Sequence, residues 1–81
     1  MEVQVLRVRP LDNMRLELLF NDGTTRIFNV GVWLNEIPNL EPLADKSLFD
    51  SVKPICDGTV VSWRWDIDFS SEFLYKESKI S

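Results

Sequence analysis

Met14-Arg15-Leu16-Glu17-Leu18-Leu19-Phe20, then Asn21-Asp22-Gly23, then Thr24-Thr25-Arg26-Ile27-Phe28, is the stretch that decides the fold. Side chains alternate between the faces of a strand, so Met14, Leu16, Leu18 and Phe20 point one way and Arg15, Glu17 and Leu19 the other. Asn21-Asp22-Gly23 breaks the alternation, and Gly23 supplies the positive φ that a hairpin loop needs. Residues 24–28 resume as a strand. Upstream, residues 3–10 are rich in Val and Leu, lack glycine and read as a first strand. Asp12-Asn13 makes the tight turn between the first two strands. The result is a three-stranded antiparallel meander.

Downstream of the meander the pattern changes period. Asn29 is expected to cap a short helix in which Val30, Trp33, Leu34 and Ile37 recur at helical spacing until Pro38 stops it. Leu40-Glu41-Pro42-Leu43 reads as an extended connector. Asp45 is expected to cap a second short helix through Leu48, Phe49 and Val52, with a turn at Asp57-Gly58. Residues 59–65 alternate again: Val61, Trp63 and Trp65 on one face, Val60, Ser62 and Arg64 on the other. Beyond them, Phe73, Leu74 and Tyr75 read as a short terminal helix capped by Asp68 or Ser70, with Glu72 near its positive end. No repeat, linker or low-complexity tract interrupts the chain. The expectation is a single α+β domain over residues 1–81, a small antiparallel sheet built on a β-meander with short helices packed on one side.

The 81 residues are 44% hydrophobic and 27% charged, an ordinary globular composition. A chain this short buries only about 60–65% of the surface its unfolded form exposes, so stability leans on the aromatic residues. Thirteen acids against nine bases give a net charge of −4. The bases are scattered. The one local cluster is Arg7, Arg9 and Arg15, which a hairpin would bring to one face, diluted by Glu2, Asp12 and Glu17. Direct nucleic-acid binding is disfavoured on this balance, and an acidic protein is suited to a small basic protein partner. Apolar runs fall far short of the roughly 20 residues that span a bilayer, and the first residues lack the pattern of a signal peptide. Cys56 stands alone. It is read as a packed small hydrophobe and fits a reducing, cytoplasmic compartment.

Chemistry-bearing patterns are sparse. The chain has no histidine, the commonest general base and metal ligand. Asp66, Asp68 and Glu72 lack the central glycine of a calcium loop, and the glycines at 23, 31 and 58 match no phosphate-binding spacing. No catalytic, cofactor-binding or metal-binding residue is therefore assigned, and enzymatic activity is not expected. Trp63-Arg64-Trp65-Asp66-Ile67-Asp68 is the densest grouping of recognition residue types. Trp63 is assigned to the core, since a small sheet needs large aromatics. Arg64, Trp65 and Asp68 are the partner-binding candidates. Leu19, opposite Leu18 and Phe20, leaves apolar surface on both faces of the sheet and favours a homodimer.

The ordered set Phe20-Asn21-Asp22-Gly23, Arg26 and Phe28, Leu40-Glu41-Pro42-Leu43, Asp45, Phe49, Trp63, Asp68 and Leu74-Tyr75 resembles the small bacterial family catalogued as domain of unknown function 2442. The resemblance runs from about Val3 to Tyr75. It implies an α+β domain with a hairpin turn at the Phe-x-Asp-Gly segment, in a bacterial cytoplasmic protein without established enzymatic activity. It also implies a protein-interaction role, as the antitoxin-like partner in a small toxin–antitoxin-type pair. The alternative is a nucleic-acid-associated accessory domain using Arg7, Arg9 and Arg15. Relatives with an added helix-turn-helix differ from this chain, which shows no such segment. Arg64-Trp65-Asp66 also departs from the Pro-Asn-Gly-like turn usual there, which implies a different recognition surface.

Overall fold

Three consecutive antiparallel strands, β1 (Val5–Leu11), β2 (Arg15–Phe20) and β3 (Thr25–Asn29), form the expected meander. The computed structural model describes residues 2–64 and 66–80. Leu16, Leu18 and Phe20 are fully buried, as the alternation requires. Asn13 and Met14 both take positive φ in the first turn, and Gly23 does so in the second. Pro10 lies within β1, which is tolerated because β1 is an edge strand. A bulge between Val5 and Arg7 turns Leu6 outward.

The single expected sheet is in fact two. The meander gains a fourth, two-residue strand, β7 (Lys79–Ile80), beside β3. A second antiparallel sheet joins β4 (Lys53–Ile55), β5 (Val60–Arg64) and β6 (Ile67–Ser70) in that order. β5 is the alternation expected over residues 59–65, but its two partners are too short for periodicity to announce: β4 is three residues around Pro54, and β6 alternates through only Ile67 and Phe69. Val61, Trp63, Ile67 and Phe69 are its buried residues, with Ser62 also buried at the centre of β5.

Local chemistry explains the helical pieces. Asp45 caps α1 (Lys46–Phe49) by accepting the Ser47 N–H at 2.9 Å, and Ser70 caps α2 (Ser71–Glu77) by accepting that of Phe73 at 3.1 Å. Asn29 makes no such cap. The N–H of Val30 instead donates to the Met14 carbonyl at 2.8 Å, and the helix shrinks to a 3₁₀ turn over Val30–Trp33. The Leu40–Leu43 connector is not extended but a second 3₁₀ turn, Glu41–Ala44, whose Leu43 N–H reaches the Leu40 carbonyl at 2.9 Å. Pro42, with its φ already near helical values, sits in its first turn. Both flanking leucines are thereby buried.

The inner faces of the two sheets meet in one aromatic core. Phe28 of β3 lies edge-on to Phe69 of β6 at 5.4 Å and to Phe73 of α2 at 6.0 Å, and stacks with Trp33 at 6.4 Å. Trp63 continues the row to Phe69 and Phe49, and its indole N–H donates to the Phe49 carbonyl at 2.9 Å. With 6% exposure, Trp63 is a core residue, as its position in the alternation predicts. Cys56 departs from expectation: it is exposed, at positive φ in the turn after β4.

Candidate functional site

Phe20, Asn21 and Asp22 of the Phe-x-Asp-Gly segment each have a structural task. Phe20 is buried and meets the Tyr75 ring edge-on at 5.0 Å. Asn21 ties down the chain before β1: its Oδ1 accepts the Gln4 N–H at 3.1 Å and its Nδ2 donates to the Glu2 carbonyl at 2.8 Å. Asp22 accepts the backbone N–H and hydroxyl of Thr24 through Oδ1, at 2.9 and 2.6 Å, and the Tyr75 hydroxyl through Oδ2 at 2.6 Å. Arg26 completes the cluster, its guanidinium 3.9 Å from the centre of the Tyr75 ring. The cluster clasps the β2–β3 hairpin to α2 across 53 residues of sequence.

Every one of those bonds favours the ionised Asp22. The Thr24 hydroxyl, the Tyr75 hydroxyl and the Thr24 N–H together lower its pKa from 3.8 to about 2, with help from the Arg26 charge. The bond to Asp22 likewise raises the Tyr75 phenol above its usual 10.0. A depressed carboxylate contributes stability that is complete above its unfolded value and lost as pH falls through the folded one. Acid titration of stability should therefore show a loss between 3.8 and about 2 that Asp22→Asn abolishes. Identical acid limbs for parent and variant would dissociate the clasp from folding.

The partner-binding candidates occupy the far end of the second sheet. Arg64 is exposed at the end of β5 and forks onto Asp66, Nε to Oδ1 at 2.6 Å and Nη2 to Oδ2 at 3.4 Å. Asp68 is exposed on β6, opposite Ser62 and away from the core. Trp65 lies outside the described residues. Among the described residues, Asp66, Asp68 and Glu72 do not converge into a group able to hold a metal ion. Nor is any helix there long and apolar enough to cross a membrane.

A second surface was only half legible. The register lines up Arg7, Leu19 and Thr25 in one row across the sheet, Arg9, Glu17, Ile27 and Lys79 in a second, and Leu11, Arg15 and Asn29 in a third. These three rows form the outer face of the four-stranded sheet, so the three arginines do share a face. Of the acids expected to dilute them, Glu17 alone stands in these rows, paired with Arg9 at 3.1 Å. Asp12 sits in the β1–β2 turn and Glu2 before β1. Lys79 joins this face through β7, a two-residue strand with no sequence pattern of its own. At one end of the face, Ile27, Val32, Trp33, Glu77 and Lys79 line a groove of about 430 Å³.

The family described as "Protein of unknown function (DUF2442)" matches residues 5–79, nearly the whole chain. No curated protein and no solved structure matches.

Proposed function

The chain belongs to the DUF2442 family, whose description carries no function, and from that premise we propose that it is a non-catalytic protein-interaction domain. In this reading it acts in the bacterial cytoplasm as the antitoxin-like half of a small pair, holding a small basic protein. The observation that carries the proposal is the division of labour among the side chains. The aromatic residues and the Asp22–Tyr75–Arg26 cluster serve the fold, while the acidic surface stands exposed at Asp66, Asp68 and Glu72. Charge at a rim of this kind steers encounter with an oppositely charged partner and selects among partners.

Arg64, Trp65 and Asp68 are the contacts in this proposal. Asp68 supplies charge, and Arg64 supplies guanidinium donors beyond those held by Asp66. A pull-down from bacterial lysate with the parent chain should retain a small basic protein. The Arg64→Ala/Asp68→Ala double variant should hold it about tenfold more weakly while unfolding as cooperatively as the parent. Equal retention by both chains would remove this surface, and no retained protein would remove the antitoxin-like role. A nucleic-acid-associated accessory role is the second reading, favoured by the common face of Arg7, Arg9 and Arg15. Its signature is a mobility shift that weakens steeply with salt.

A further inference from the structure

The charges of this acidic protein are segregated. The three outer rows of the four-stranded sheet hold four of its nine bases, Arg7, Arg9, Arg15 and Lys79, and one of its thirteen acids, Glu17. The rest of the molecule therefore carries five bases against twelve acids. The inner face takes the core contacts through Leu16, Leu18 and Phe28, while Arg7, Arg9 and Arg15 on this outer face are exposed. Between the cations lie aliphatic side chains, Leu19 and Ile27, half-buried on the open sheet. Arg15 is held in place by its Nε, which donates to the Asp12 carbonyl at 3.1 Å and leaves its terminal nitrogens for a partner.

We propose that this outer face docks an acidic protein segment bearing aliphatic side chains, with carboxylates on Arg7, Arg9, Arg15 and Lys79 and an aliphatic residue in the groove beside Ile27, Val32 and Trp33. Charge complementarity selects an acidic occupant. The aliphatic centre selects a protein over a nucleic acid, because single-stranded bases bind sheet faces by stacking on exposed aromatic rings. Here Leu19 and Ile27 stand where such rings would be, and Trp33 is engaged with Phe28 and Phe73. Glu77 at the groove rim and Glu17 on Arg9 set the register, since carboxylates of the segment must avoid both. The proposal is independent of the Arg64–Asp68 surface, which belongs to the other sheet.

The test uses the full, isotope-labelled chain titrated with a synthetic peptide repeating Glu-Leu-Asp-Ser. Amide shifts are expected at Arg9, Arg15 and Ile27 and at the Trp33 indole. Affinity should fall about tenfold in Arg9→Glu/Arg15→Glu, and by less in Arg15→Gln/Lys79→Gln, which adds no repulsion. Arg64→Ala/Asp68→Ala should leave it unchanged, which separates this surface from the one proposed above. Absence of shifts, equal binding of a Gln-Leu-Asn-Ser peptide, or tighter binding of oligothymidylate to the same residues would each overturn the proposal. So would concentration-dependent shifts of these residues without peptide, since a second copy of the chain would then be the occupant.

Discussion

Phe28→Ala is expected to destabilise the protein by about 4 kcal/mol, the usual scale for deleting a buried aromatic ring. A domain of this size has a total stability of about 4–12 kcal/mol, so the variant should lie near or beyond its unfolding threshold. The position explains the size. Phe28 is fully buried on β3 and touches three other rings: Phe69 from the second sheet, Phe73 from α2 and Trp33 from the turn after β3. Removing it opens a cavity where both sheets and the last helix meet, and neighbours tied to separate elements cannot all close on it. Urea unfolding should show a lower midpoint, while Phe28→Leu, which keeps most of the volume, should lose under about half as much. A cost below about 1.5 kcal/mol for the alanine variant would mean that the two sheets do not depend on this junction.

Gly58→Ala is the second, at about 3 kcal/mol. Gly58 is buried at φ +84, and a Cβ placed there would stand 2.6 Å from the Val5 carbonyl oxygen and 3.2 Å from the Val5 nitrogen. Both are backbone atoms of β1, which is held by its pairing to β2, so the obstacle is not a flexible side chain that can swing aside. The Gly58 carbonyl is also engaged, accepting the hydroxyl of fully buried Ser71. Gly23 is the internal control. Its φ is +86, but nothing lies within 4 Å of a Cβ there. Gly23→Ala should therefore show the backbone cost alone, about 1 kcal/mol. Equal losses at the two glycines would mean that β1 yields to the methyl group and that its close approach contributes nothing.

The two glycines show how far sequence reading reaches. Asn-Asp-Gly and Asp-Gly alone predict a turn at each, and both have the positive φ those turns require. Only Gly58 lies against another strand, a fact that depends on a contact with Val5 far away in the chain. Asp45 and Ser70 were readable as caps because a cap bond spans two or three residues. Asn29 misled for the same reason: its neighbour's N–H is satisfied from the first turn of the meander, out of sight of any local rule. Of the candidate site, the exposure of Arg64 followed from alternation, while its pairing with Asp66 is a product of how the chain turns after β5.

Local sequence by itself determined the meander, the buried face of β2, the caps of α1 and α2 and the place of Trp63 in the core. Each of these is set by side-chain periodicity or turn chemistry within a few residues, where the chain has few alternatives. Tertiary structure alone decided the partners of β5 in the second sheet, the clasp between Asp22 and Tyr75, the contact of Gly58 with β1 and the addition of Lys79 to three arginines on one open face. Strands of two to four residues have too little pattern to be seen and too little stability to form alone. They exist because a partner strand and a shared core supply the hydrogen bonds and buried area, and those come from distant parts of the chain.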